Sequence, residues 1–176
     1  NSLSDEQSEW TPIVLHRPVE EELIQKLYSL KAEEKSRPIY GSIKGSDYLL
    51  FENNIPILRY FRKDLLQKLS EYFGSEIYIT DSFFNIIKPK DGIGGGSKIH
   101  YHLGRVDKIA QIGIAKYKFS LVYYLSIGDK SGKDPGILKF HNPNNIFVPE
   151  EGMIVIFPAS RLHSVHYDGK KDRVVI

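Results

Sequence analysis

Along the first part of this chain, apolar residues recur at helical steps. Val19, Leu23, Leu27 and Leu30 form one stripe after Pro18, with Glu20, Glu21 and Glu22 at the positive end of the expected helix dipole and Lys31 and Lys35 toward the other. Pro56 opens a second run, in which Leu58, Phe61, Leu65, Leu69 and Tyr72 or Phe73 face one way and Gly74 stands where a left-handed residue ends a helix. Both are predicted to be scaffold helices. Residues 1–10 are polar and read as frayed, and Trp10 to Leu15 reads as a first strand that docks Trp10 onto the body. Between the helices, residues 36–55 carry turn formers, with Tyr48 to Phe51 a candidate short strand in a loop over a site.

From Glu76 the period changes. Runs 77–79, 83–87, 119–127, 137–140, 153–157 and 174–176 are short, β-branched or aromatic, and punctuated by Gly, Pro, Asn and Asp. Such spacing predicts a sandwich or barrel with the two leading helices on its outside, an α+β class with a mainly antiparallel β core. Asp91-Gly92-Ile93-Gly94-Gly95-Gly96 is expected to be a mobile turn or lid, since it lacks the Lys-Ser/Thr ending and the following helix of a phosphate loop.

Composition refines this picture modestly. A chain of 176 residues, 41% hydrophobic and 26% charged, suits a single domain over 1–176, with helical support over 1–75 and the β core over 76–176. The formal charge is +2, with Lys and Arg scattered among Asp and Glu, so composition indicates no nucleic-acid partner. No run approaches the ~18 apolar residues of a membrane span. The absence of cysteine excludes disulfides and thiolate ligands and fits a reducing, cytoplasmic setting, so any metal must use nitrogen and oxygen donors. A chain that begins at Asn1 and stops at Ile176 within an apolar strand reads as trimmed at both ends, which leaves a removed leader open.

The candidate chemistry lies in histidines and one arginine. His100-Tyr101-His102 follows the glycine run, and residues two apart in a strand share a face, so both imidazoles would project together. That suits a shared metal, and equally a surface strand with exposed histidines. His163 follows the apolar run Ile154 to Pro158, so a second β segment also offers an imidazole. Arg173 lies ten residues further on, and a guanidinium binds a carboxylate as a planar fork. A two-residue Asp168-Gly169 loop would turn Arg173 to the face opposite His163, and a three-residue Asp168-Gly169-Lys170 loop with a bulge would return it to the same face. A joint site requires the odd length. His166 has the opposite parity and should face outward, while His141 and His16 read as loop and surface residues.

These residues resemble a known family, the iron(II)- and 2-oxoglutarate-dependent oxygenases on the double-stranded β-helix, a jelly-roll, cupin-like fold, and especially its small prolyl-hydroxylase-like bacterial and phage members. The resemblance runs from about Ile77 to Ile176. It is carried by His100-Tyr101-His102, the strand Phe119 to Leu125, Gly136 to Phe140 and the block 152–173, in which Phe157-Pro158, His163 and Arg173 are the most specific part. It implies Fe(II), 2-oxoglutarate as co-substrate and O2, and hydroxylation of an unactivated C–H bond in a peptide, such as a prolyl residue, or in a small molecule. It implies His163 as the distal metal ligand and Arg173 on the distal carboxylate of 2-oxoglutarate. Tyr124 and Ser120, on one face of their strand, and Asn85 would be further cofactor contacts, with barrel-filling tyrosine, packing serine and strand-edge asparagine as the structural alternatives.

The family's near ligands are a histidine and an acid two residues on, and here the acid is missing. With His100 as first ligand, His102 takes the acid's place and the metal meets three histidines, which is the expected arrangement. With His102 first, Gly104 falls there, as in the His-Xaa-Gly pattern of halogenases and of the aspartyl/asparaginyl hydroxylases; Asp107 is a more remote candidate. Val175 stands where the family commonly has a hydroxyl after the arginine. Readings of another class are a cupin-like metal- or sugar-binding module and a non-enzymatic interaction domain. Tyr40, Tyr48, Phe51 and Tyr101 are candidates to line a substrate groove.

Overall fold

Two antiparallel sheets and two helices make three layers in the computed structural model, which describes residues 10–30, 33–37, 41–89 and 94–176. In chain order the elements are β1 Ile13–His16, α1 Glu21–Ser29, β2 Glu33–Arg37, β3 Gly41–Gly45, a 3-10 turn Leu50–Glu52, α2 Pro56–Phe73, β4 Asn85–Lys88 and β5 Gly95–His100. A second 3-10 turn, Ala115–Tyr117, precedes β6 Phe119–Ser126, β7 Pro135–His141, β8 Asn145–Phe147, β9 Met153–Pro158, β10 Leu162–Tyr167 and β11 Arg173–Val175. One sheet has the order β1-β9-β6-β11-β4-β3-β2 and the other β5-β10-β7-β8.

The helices form where the spacing predicts. α1 carries Glu21 and Glu22 in its first turn and buries Leu23 and Leu27; α2 starts on Pro56, ends at Gly74 in the left-handed conformation, and buries Leu58, Phe61, Leu65 and Leu69. These side chains pack on one face of the seven-stranded sheet, against Tyr123 and Leu125 of β6, Ile154 and Ile156 of β9, and Val174 of β11. The alternate residues of the same strands, Tyr124, Val155 and Phe157, point the other way and pack with Leu138 and Phe140 of the four-stranded sheet. Trp10 docks edge-on against Phe140 at the rim of that inter-sheet core, 4.8 Å between ring centroids.

Phe61 is the hub of the helix layer. It stacks on Tyr123 at 5.1 Å and lies beneath the Arg17 guanidinium at 4.9 Å. Arg17 is buried yet balanced, pairing with Asp64 at 2.6 Å and with Glu20.

Several expectations are corrected by long-range pairing. Residues 77–79 join no ladder among the described residues, and Tyr48 to Phe51 make an isolated bridge, Leu49 to Ser82, followed by a 3-10 turn rather than a strand. Phe51 enters the helix-side core instead of a groove. The segment 1–75 supplies β1, β2 and β3 as well as helices, extending the larger sheet at both ends. Residues 1–9, Tyr40 and residues 90–93 lie outside the described residues. Gly95 and Gly96 are part of β5, and a methyl group on Gly96 would overlap the backbone of Val165 in β10, so close strand approach explains a glycine there. The turn after His163 also differs from the expected hairpin: β10 and β11 belong to different sheets, and residues 168–172 cross between them. Among the described residues, no helix is long and apolar enough to cross a membrane.

Truncating the hub tests this layering. Phe61→Ala removes a fully buried ring and is expected to lower folding stability by about 3–5 kcal/mol, read from the urea midpoint.

Candidate metal centre

β5 and β10 pair so that His100 and His163 are register partners, which places both imidazoles on one face with ring centroids 4.2 Å apart. The strand ends at His100. His102 lies beyond it, where its backbone N–H donates to the Ala159 carbonyl at 2.8 Å and ties the chain to the β9–β10 turn. This brings His102 Nε2 to 3.1 Å from His163 Nε2. One ring nitrogen from each of His100, His102 and His163 lies within 4.8 Å of the others. The shared-face expectation for the first two therefore holds as convergence, although a turn-anchored segment rather than a continuous strand delivers it.

Tautomers are set by the backbone. His163 Nδ1 is 2.9 Å from the Arg161 carbonyl and His100 Nδ1 is 2.6 Å from that of Lys98, so each Nδ1–H is donated and each Nε2 lone pair is turned toward the cluster. Burial, then the neighbouring His100 and Lys118 charges, pushes His102 down to about 4. Burial likewise pushes His163 down to about 4 against the opposing Arg161 carbonyl, with His100 and His102 adding to the fall. Both rings are neutral at pH 7, the form that binds a transition metal. Two nitrogens at right angles on a metal, each about 2.1 Å away, would lie about 3.0 Å apart, so the Nε2 separation suits adjacent ligands on one ion. The donor set fits Fe(II), and equally other first-row ions that accept imidazole.

Asp107 is not part of the cluster. Its carboxylate accepts from the Gly104 N–H and from Lys118 Nζ, both at 2.7 Å, and these partners hold it below the usual carboxylate range. Outward-facing His166 instead sits near Asp134 and Asp168 on the solvent side of β10. His141, at the end of β7, bonds Ser164 Oγ at 2.8 Å.

Arg173 occupies the centre of the larger sheet, between β4 and β6, and is 2% exposed. Its guanidinium donates to the carbonyls of Gly136 at 2.9 Å, Pro135 at 3.4 Å and Ile127 at 3.5 Å, and lies 5.4 Å from the Tyr124 ring and 5.6 Å from that of Tyr167. No carboxylate among the described residues pairs with it, whereas the comparably buried Arg17 has two. Desolvation lowers its pKa against the favourable influence of the two tyrosines. Gly136 makes the cradle possible: its φ is +82°, and a methyl group there would overlap the guanidinium.

The other expected residues fall along the same inter-sheet face. Tyr124 packs against Arg173, and burial pushes its phenol up to about 12 although the guanidinium favours the ionised form. Ser120 lies at the opposite end of β6, in register with Phe157, whose ring is 4.8 Å from His163. Asn85 shares a face with Arg173 through the β4–β11 register, and its Oδ1 stands over Gly45 of β3. The cluster of three imidazoles and the Arg173–Tyr124 pair are thus both built on facing sheets. Neither Tyr167 nor the guanidinium-cradling role of Gly136 is among the site features expected from sequence. Tyr167 has the parity of His163, a readable signal, and its hydroxyl donates to the Lys171 carbonyl at 2.6 Å. The Asp129 carboxylate takes the N–H groups of Ser131, Lys170 and Lys171, fastening the crossing segment that delivers Arg173.

Because His102 and His163 take up protons near 6.5 when unfolded but only near 4 when folded, the unfolded state binds protons first and stability falls as pH drops from 6.5 toward 4. Urea midpoints are expected to fall more steeply across that window in the wild type than in His163→Gln. Equal slopes would remove these imidazoles from the pH response.

No family model and no curated protein matches this sequence. Its fold is similar to that of a solved oxidoreductase of the 2OG-Fe(II) oxygenase family from Burkholderia pseudomallei, with a TM-score of 0.59 and 18% identity, covering 88% of this chain and 74% of that one. At this identity the likeness establishes a common fold, two antiparallel sheets of jelly-roll kind with few helices.

Proposed function

We propose that this chain is an Fe(II)- and 2-oxoglutarate-dependent oxygenase on a double-stranded β-helix formed by β4 to β11. Supporting the fold, successive strands from β4 to β7 and from β8 to β11 alternate between the two sheets. The observation that carries the function is Arg173: a guanidinium buried beside Tyr124 with no carboxylate partner among the described residues, on the face that looks toward the sheet bearing His163. A buried cation whose partners are neutral carbonyls and tyrosines lowers its energy on meeting an anion, and the distal carboxylate of 2-oxoglutarate is the ligand this reading assigns to it.

In this reading His100, His102 and His163 hold the iron. Iron with 2-oxoglutarate and O2 supplies the oxidising power, 2-oxoglutarate leaving as succinate and carbon dioxide while a C–H bond of the substrate becomes C–OH. The chain's own contribution is placement and exclusion. The Lys98 and Arg161 carbonyls orient two of the imidazoles, the Gly136 cradle orients Arg173, and Phe157, Leu138 and Phe140 keep the inter-sheet space apolar. The substrate class is a peptidyl C–H bond, such as a prolyl one, or that of a small molecule. A halogenase-like centre would need a ligand position without a side chain; the convergence of His100 on the other two imidazoles favours three histidines. The same carboxylate-free donor set also suits a cupin-like metal-binding module, but such a module has no use for Arg173.

Anaerobic titration with Fe(II) and 2-oxoglutarate is expected to give a visible charge-transfer band that is lost in His163→Ala. In Arg173→Gln, 2-oxoglutarate affinity should fall roughly 100-fold, the loss of a charge-assisted contact worth about 3 kcal/mol. Absence of the band in the wild type, or its persistence in both variants, would sink the reading. Gly136→Ala, which displaces the guanidinium, should weaken 2-oxoglutarate by at least roughly tenfold while leaving Co(II) binding without 2-oxoglutarate unchanged by calorimetry.

A further inference from the structure

Taking the oxygenase reading for the chemistry it would serve, we infer that residues 99–119 form a docking surface for a polypeptide that carries acidic and aliphatic side chains together. Of the fifteen large hydrophobic residues exposed among the described residues, eight fall in this stretch. Ile99, Val106 and Ile112 are more than half exposed, at 58%, 57% and 51%, a concentration of apolar surface that a folded chain ordinarily buries or uses.

The stretch borders the metal centre at both ends. It leaves the imidazole cluster at His102 and returns at Lys118, whose charge is felt at His102 and whose backbone carbonyl accepts from Ala159 N–H at 3.0 Å. The Lys118–Asp107 ion pair and the Gly104 N–H on the same carboxylate fasten the excursion between them. A chain lying along it would therefore pass the three histidines.

Charge chooses the partner. Asp107 is the one acid between residues 101 and 118, and Lys118 neutralises it. Arg105, Lys108 and Lys116 are exposed and enter no ion pair among the described residues. Lys108 lies 4.8 Å from the Tyr101 ring and Lys116 5.0 Å from that of Tyr117, so the ammonium groups sit amid apolar side chains rather than apart from them. Positive charge interleaved with apolar surface complements a segment that alternates the same way with carboxylates. Nucleic acid is also anionic, but base stacking needs open aromatic faces. Here the apolar residues are mainly aliphatic, Ile99, Val106, Ile109, Ile112 and Ile114 among them, and both tyrosine rings already carry a lysine.

Fluorescence anisotropy on the full chain tests this with short labelled peptides of alternating Glu and Leu, Lys and Leu, or Glu and Ser, and with oligo(dT). The Glu–Leu peptide is expected to bind at least roughly tenfold more tightly than any other probe. Lys108→Glu with Lys116→Glu should reverse the preference between the Glu–Leu and Lys–Leu peptides. Ile109→Ser with Ile112→Ser should weaken Glu–Leu binding roughly tenfold, with circular dichroism confirming that both variants fold. Equal binding of both charge signs, tighter binding of oligo(dT), or self-association abolished by the isoleucine substitutions would overturn the inference. The wild-type charge-transfer band, read in parallel, separates the two proposals. A missing band with selective peptide binding removes the oxygenase and keeps the docking surface, and a band without peptide selectivity does the reverse.

Discussion

The candidate centre depends on one constraint: the seven-stranded sheet is covered on both faces, so each residue of β6, β9 and β11 must belong either to the helix layer or to the inter-sheet space. Tyr123, Ile154, Ile156 and Val174 take the first side, and Tyr124, Val155, Phe157 and Arg173 the second. A slip of one residue in β11 would exchange Val174 with Arg173 and drive a guanidinium into the apolar helix layer. The packing of Phe61 on Tyr123, on the helix side of the sheet rather than the inter-sheet side, therefore helps hold the register on which the arginine's position depends.

The two buried arginines show how the chain handles charge. Arg17 meets Asp64 and Glu20 and serves as structure, joining the approach to α1 to α2. Arg173 has carbonyl dipoles and two tyrosine faces instead, an arrangement that engages some of its five N–H donors while no carboxylate among the described residues pairs with it. The same logic applies to the imidazoles. Burial keeps His102 and His163 neutral, and neutral ligands leave the full charge of a bound divalent ion in place, which favours an anionic co-ligand.

Asp107 connects the centre to its surroundings. Its pairing with Lys118 engages the first acid that follows His102 in sequence and at the same time pins the segment that carries the exposed isoleucines and lysines. The scattered charge of the whole chain, +2 in total, conceals this local excess of cations, because the average is taken over acids that lie elsewhere.

Local periodicity was enough to place α1, α2, β6, β9 and β11, since spacings of 3.6 and 2 residues report directly which side chains share a face. Side-chain chemistry and the family resemblance singled out His100, His102, His163 and Arg173. Periodicity could not find β2, whose Glu33–Arg37 sequence is charged at every position but Ser36 and which is held as an edge strand by β3, nor show that residues 77–79, apolar as they are, would join no ladder among the described residues. The length of the 168–172 segment does not decide the facing of Arg173 for the same reason. Loop length sets the relative facing of two strands only when they pair with each other, and β10 and β11 do not. A sequence states which face a residue takes on its own strand; which strand lies opposite, and hence whether a histidine and an arginine look into one space, is decided by non-local pairing that only the tertiary structure contains.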